Sequence, residues 1–288
     1  MQTALGIDIG GTRVRVGVVS ADGAILARVE SPLPPDGEPD SLGRVIAEHA
    51  RRVVADAGTE PVAAGVALPG VWDRQTGIMQ RAVNLPKLEG VNIPQFFAHH
   101  LGRPAAIEAD VNAAIWAQWH HMHPRPARFV YLSLGTGVGG GVILDGQIVR
   151  HTHGGAGHFG FLIVDTSPDA PVDGSGIRGC LSAIVAGPAL HSAVTAAGEE
   201  PLSDEVVTKA ARALAVAFVQ LAHIYAPDMI ALGGGVIDHH PEIVDRARVT
   251  FAHYRGGLIP PDLRIERAPL STNDAGVVGA ALLALQQV

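Results

Sequence analysis

Apolar residues alternate with small or polar ones at the start of the chain. Leu5, Ile7 and Ile9 lead into Gly10-Gly11-Thr12-Arg13, and Val14, Val16 and Val18 follow. A period of two predicts two strands with one buried face each, and the paired glycines predict a tight turn between them. Asp22-Gly23 marks a second turn, after which Ala24-Ile25-Leu26 opens a third strand. The same order recurs about halfway along: an apolar strand over 129–134, a glycine turn from Gly135 to Gly141, the strand Val142-Ile143-Leu144, and the turn Asp145-Gly146. A repeat on this scale predicts two similar α/β domains facing each other across a cleft.

Helical and strand periods fill the rest. Ser41 reads as the N-cap of a helix running to about residue 56, with Leu42, Val45, Ile46 and His49 on one face. A buried strand over 62–68 ends at Pro69-Gly70, and a turn over 73–77 precedes Asn84-Leu85-Pro86. A short helix near 94–101, a strand over 105–108 and a helix over 111–120 come next, the last packing through Ala113, Ala114, Ala117 and Trp119. Val206, Val207, Ala210, Leu214, Phe218 and Leu221 give a long amphipathic helix over 204–225. The strand 229–232 runs into Gly233-Gly234-Gly235-Val236, which opens a turn into another helix.

Two places carry candidate chemistry. At the first turn, backbone N–H groups opened by Gly10 and Gly11, the Thr12 hydroxyl, the Arg13 cation and an Asp8 carboxylate suited to Mg²⁺ together make a cradle for nucleotide phosphates. The same residues also make an ordinary hairpin. Asp110 stands at the carboxyl end of a strand and the start of a helix, where α/β sheets bind ligands and where an aspartate also serves as a helix cap.

Composition narrows the classes. The chain has 288 residues, 47% of them hydrophobic, enough for two ordinary domains. A net charge of −7 without a basic patch argues against nucleic acid. No apolar run suggests a membrane span and no signal peptide opens the chain. A single cysteine, Cys180, forms no internal disulfide and suits the cytoplasm. The 14 histidines, several in pairs, fall mostly in loops and at helix ends, as surface residues do.

The two glycine turns on hairpins and the Gly233-Gly234-Gly235 turn resemble the ATPase core shared by actin, hexokinase and the Hsp70 chaperones. Within that group the chain resembles, from Leu5 to about Leu283, the ROK family of bacterial sugar kinases and related repressors. The resemblance implies an α/β fold of two actin-like ATPase (ribonuclease H-like) domains: residues 1–116, closed by a C-terminal helix at 275–288, and residues 117–274. It implies ATP and Mg²⁺ as cofactors. Asp8, Gly10, Gly11, Thr12 and Arg13, with Gly135, Thr136, Gly137, Gly139 and Gly140, would surround the phosphates. Asp8 would meet the Mg²⁺ of the nucleotide, and Gly233, Gly234 and Gly235 would lie against adenosine. Asp110 would be the catalytic base, within Glu108-Ala109-Asp110-Val111-Asn112 where the family has Glu-Asn-Asp-Ala-Asn. Gly70, Asn84, Asp110, Gly155 and His158 would contact a small sugar-like substrate. The resemblance also implies a homodimer, and the absence of a DNA-binding segment before Leu5 separates the chain from the repressors.

The chain departs from the family where the family reads its sugar. Ala109 replaces an Asn that binds a hydroxyl, and His158, Phe161 and Ser182 replace a Glu, a His and a Glu that do the same. His158 is the residue type that bacterial N-acetylmannosamine kinases carry. The zinc motif Cys-x-Cys-Gly-x-x-Gly-Cys-Leu-Glu becomes Asp173-Gly174-Ser175-Gly176-Ile177-Arg178-Gly179-Cys180-Leu181-Ser182, which leaves one thiol and predicts no zinc. Two functions follow: a kinase with an atypical substrate pocket, or a non-catalytic nucleotide- or sugar-binding regulator. The retained Asp8, Asp110 and glycines favour the kinase.

Overall fold

The computed structural model describes residues 1–82, 84–150, 157–197 and 202–288, with residues 194–197 described as helix only. The chain divides into two units, one of Met1–His123, Arg150 and Asn273–Val288, the other of 124–149 and the described residues of 157–272.

In the first unit β1 (Thr3–Ile9), β2 (Arg13–Ser20) and β3 (Ile25–Pro32) form an antiparallel meander. Helix α1 (Pro39–Ala57) leads to β4 (Ala63–Leu68), which pairs parallel with β1. The two-stranded hairpin of β5 (Val71–Trp72) and β6 (Met79–Arg81) precedes α2 (Ile93–Leu101), β7 (Ala106–Ala109) and α3 (Asp110–His120). The main sheet has the order β3-β2-β1-β4-β7. Leu5, Ile7, Ile9, Val14, Val16 and Val18 point into one core with Leu42, Ile46 and Phe97, as the two-residue period requires.

The second unit repeats the plan. β8 (Arg128–Leu134), β9 (Val138–Leu144) and β10 (Gln147–Ile148) form the meander. After α4 (Ser182–Val185), α5 (Gly187–Ala197) and α6 (Asp204–Tyr225), strand β11 (Met229–Gly233) adds parallel to β8. Then α7 (Gly235–His239), α8 (Glu242–Tyr254) and β12 (Arg264–Arg267) complete the order β10-β9-β8-β11-β12. The strand order and directions match those of the first sheet one for one, so the internal repeat is an architectural one. The chain is an α/β protein with two actin-like ATPase domains.

The last helix, α9 (Thr272–Leu285), returns to the first unit and covers the second face of its sheet. All seven residues of β1 are therefore buried, not only alternate ones. Gly6 pairs with Gly17 on β2 and with Gly65 on β4, giving a row of glycines in register across three strands. A Cβ at Gly6 would run into the Val277 carbonyl of α9, and one at Gly65 into the Ala280 carbonyl. The helix thus lies at backbone distance from the sheet.

Several local expectations change. Helix α1 starts at Pro39 with Glu38 as its cap, because proline suits the first turn. Ser41 lies inside the helix, and its hydroxyl donates to Asp36 Oδ2 at 2.7 Å. In α3 it is Trp116, not Trp119, that is buried. Gly139 to Gly141 belong to β9 and not to the turn before it. α6 is long and apolar enough to cross a membrane, contrary to the sequence expectation, and ten of its residues, Val207, Leu214 and Phe218 among them, are buried within the protein.

Gly65→Val tests the backbone-level seating of α9. A β-branched side chain there cannot avoid a carbonyl, and overpacking of this kind costs about 1–3 kcal/mol or more. The urea midpoint should fall accordingly, while Gly257→Ala, placed in open space, should shift stability by less than about 0.5 kcal/mol.

Candidate active site

The first turn is closed by the Gly10 N–H donating to the Arg13 carbonyl at 2.9 Å. Gly11, Thr12 and Arg13 are exposed at its tip. Asn84 lies beside it: a Cβ on Gly11 would sit 2.9 Å from Asn84 Nδ2. Gly70 has φ +125°, and a Cβ there would sit 2.7 Å from the Arg81 carbonyl, so the chain bend after β4 requires glycine.

Asp8 is 7% exposed, near the end of β1. Arg15, directly opposite on β2, donates to Asp8 Oδ2 at 3.2 Å through Nη1. Its Nη2 donates to Asn273 Oδ1 at 2.9 Å and its Nε to Glu30 Oε2 at 3.2 Å. The carboxylate rests on Gly276 of α9, where any Cβ would collide with it. Burial pushes the Asp8 pKa up to about 6 against the pull of Arg15, and the negative charge of Asp110 adds to the rise. Asp8 and Asp110 are thus electrostatic neighbours. Arg13, expected at the phosphates, pairs with Glu30 at 2.7 Å in this structure and remains half exposed.

Asp110 is the first residue of α3, and Ala109 is the N-cap. Asp110 therefore does not act as the helix cap. Its Oδ1 accepts from the Val111 N–H at 2.8 Å. The side chain remains reachable by solvent, while crowding by surrounding protein raises its pKa above the ordinary carboxylate value. Glu108, two residues earlier, is a buried hub. It accepts from Arg150 Nε at 2.7 Å, Arg74 Nη2 at 2.5 Å, Asn112 Nδ2 at 3.0 Å and the Ala109 N–H at 3.0 Å. Burial alone would raise its pKa, but Arg150, Asn112 and Arg74 outweigh it and hold Glu108 ionised.

In the second unit Gly135 and Gly137 face open space at the β8–β9 turn, whereas Gly140 packs under Phe159 and the Tyr131 carbonyl. The three later glycines divide the same way. Gly233 abuts the Tyr131 hydroxyl and Gly234 the backbone of Leu134, while Gly235 is open. Gly235 lines a cavity of about 770 Å³ with Gly135, Thr136, Gly187, Leu190 and His239. The Gly187 N–H donates to the Gly135 carbonyl at 2.7 Å and fixes one wall. The Ser182 hydroxyl accepts from the Val138 N–H at 3.2 Å, so Ser182 is tied to the turn. His158 and Phe161 are exposed, with ring centroids 6.0 Å apart. Gly155 lies outside the described residues.

Sequence reasoning passed over Arg15, Arg74 and Arg150. Arg15 was within reach of it: counting outward from the four-residue turn 10–13 sets Ile9 against Val14 and Asp8 against Arg15. Arg74 and Arg150 lie far from Glu108 in the chain and offered no local signal. Among the described residues no cluster of three or more His, Cys, Asp or Glu side chains could hold a metal.

The ROK family model matches residues 4–287. The chain is 29% identical to a glucokinase of Thermotoga maritima, over 99% of the chain and 98% of that protein. It is 28% identical to an N-acetylmannosamine kinase of Escherichia coli, over 98% of both. The crystal structure of a ROK hexokinase from Thermus thermophilus superposes with a TM-score of 0.83 at 31% identity, covering 99% of each chain. The chain belongs to the ROK family.

Proposed function

We propose that the protein is an ATP-dependent kinase that phosphorylates a hydroxyl of a sugar or sugar-like small molecule, of the hexose or amino-sugar class. The observation that carries this reading is the neighbouring pair Asp8 and Asp110, two carboxylates both with raised pKa values at the open ends of β1 and β7. The kinase names of its relatives support it. Asp110 is the general base: its raised pKa makes it a better acceptor for the proton of the attacking hydroxyl than an ordinary carboxylate. Gly70, Asn84, Gly155 and His158 contact substrate. The β1–β2 turn, with Asp8, and the open β8–β9 turn of Gly135, Thr136 and Gly137 hold the phosphates, with the open Gly235 on the adenosine side. Asp8, as a carboxylate, is suited to the Mg²⁺ of the nucleotide, which when bound neutralises phosphate charge. The rest of the rate enhancement is positioning and exclusion of water. A homodimer in the cytoplasm completes the reading.

The substrate pocket is the unusual part. Ala109 and Phe161 offer no hydrogen bond, and Ser182 is engaged with Val138. A buried hydroxyl left unpartnered costs roughly 1–3 kcal/mol, so a fully hydroxylated hexose fits poorly. An acetamido methyl or a missing hydroxyl fits better, and His158 supplies one donor and one acceptor.

Three outcomes test the reading. Asp110→Asn should keep nucleotide binding and lose roughly 10²–10⁴-fold in turnover; a variant keeping more than about a tenth of wild-type turnover removes Asp110 as the base. In a coupled ADP-release assay over glucose, mannose, N-acetylmannosamine, N-acetylglucosamine, deoxysugars and inositols, glucose should not give the highest kcat/KM. Asp8, with its pKa near 6, is neutral below that pH and anionic above it. Binding of the Mg²⁺–nucleotide, followed by calorimetry, should therefore weaken as pH falls from 7 to 5, and Asp8→Asn should bind weakly at both.

A further inference from the structure

The loop of residues 171–182 corresponds to the one that zinc organises in ROK relatives. The donors present here do not fit that metal. Asp173 and Ser175 stand at two cysteine positions, Phe161 at the histidine, and only Cys180 remains. Tetrahedral zinc needs four nitrogen, sulfur or carboxylate ligands, and this set offers one thiol and one carboxylate.

The loop is nonetheless folded. Asp173 Oδ1 accepts from the Ser175 N–H at 3.0 Å and from the Ile177 N–H at 2.9 Å. The Asp173 N–H donates to the Ile177 carbonyl at 3.1 Å, and the Gly176 N–H to the Asp173 carbonyl at 3.0 Å. One carboxylate oxygen thus closes the turn from inside, as a metal ion would from between its ligands. Val172 bridges to Arg178, and the Arg178 guanidinium donates to the Ala170 carbonyl at 2.6 Å. The far end of the loop is anchored by the Leu181 N–H on the Leu162 carbonyl at 2.8 Å. Cys180 is fully buried. Its thiol pKa is raised, first by burial and then by the nearby Asp173 charge. The next residue but one, Ser182, reaches the β8–β9 turn through Val138.

We propose that the Asp173 carboxylate replaces the structural metal of this loop, pinning it through backbone hydrogen bonds so that Ser182 is delivered to the β8–β9 turn without zinc. The chain has exchanged a metal-dependent fold element for one built from its own side chain. It follows that the loop is indifferent to chelators, and that its order depends on an acceptor at residue 173 and not on a thiol at residue 180.

Limited trypsin digestion tests this, with cleavage after Arg178 quantified by mass spectrometry. The rate is read without turnover, so the test stands apart from the kinase reading. Losing two backbone hydrogen bonds should make Asp173→Ala cut roughly tenfold faster than wild type. Asp173→Asn keeps an acceptor oxygen and should stay within threefold of wild type, and Cys180→Ser should do the same. A zinc chelator should change none of these rates, and metal analysis should find no stoichiometric zinc. A less than threefold acceleration in Asp173→Ala overturns the proposal. So does chelator-accelerated cleavage of the wild-type protein, or one zinc per chain that is lost in Cys180→Ser.

Discussion

The seating of one helix on one row of glycines governs the first unit. Gly17, Gly6 and Gly65 stand in register across β2, β1 and β4 and cut a trough into the sheet. α9 fills it, with its own backbone carbonyls at Val277 and Ala280 against the trough floor. Contact this close leaves no room for a side chain on the trough floor, where Val277, Ala281 and Ala284 of α9 pack beside the carbonyls, so it fixes the helix in translation and rotation. Two consequences reach the site. Gly276 is placed under the Asp8 carboxylate, and Gly279 is pressed against the Ala113 carbonyl of α3. The same helix therefore backs both Asp8 and the helix that Asp110 begins. Water is excluded from the back of Asp8, and the rise of its pKa is the electrostatic trace of that exclusion.

Two buried carboxylates in this unit meet opposite fates. Glu108 is as buried as Asp8 but has two arginines and an amide on its oxygens, and it stays ionised. Asp8 has one arginine at 3.2 Å, and Arg15 also serves Glu30 and Asn273. Under-compensation leaves Asp8 with a raised pKa, whereas full compensation makes Glu108 a fixed point of the strand–helix junction.

The sequence made the architecture legible because strand period, paired glycines and Asp-Gly turns are local signals, and they occurred twice. The near-identical order of the two sheets follows from that repetition. Burial of both faces of β1 was not legible. Alternation reports one apolar face, and the second face here, Ala4, Gly6 and Asp8, is buried by a helix more than 250 residues away. The glycine runs were read as one class, and the structure separates them. Gly135, Gly137 and Gly235 face open space, while Gly140, Gly233 and Gly234 exist to let backbone and rings approach. Smallness serves both purposes, and only a neighbour's position tells them apart. The sequence set Asp110 at a strand end and a helix start, where the structure has it, and the N-cap position falls to Ala109.

The changes in the second unit form one set and not a scatter of losses. On the resemblance to the ROK zinc motif, Phe161, Asp173 and Ser175 stand where that motif has ligands, and Ser182 follows directly on the loop. What remains must then be held by other means. Here the Asp173 carboxylate closes the turn, Cys180 is retained as buried bulk, and Ser182, too short to reach as far as a glutamate, bonds the Val138 N–H instead. The loop keeps its anchors at Leu181 and Gly179, and His158 and Phe161 stand exposed beside each other.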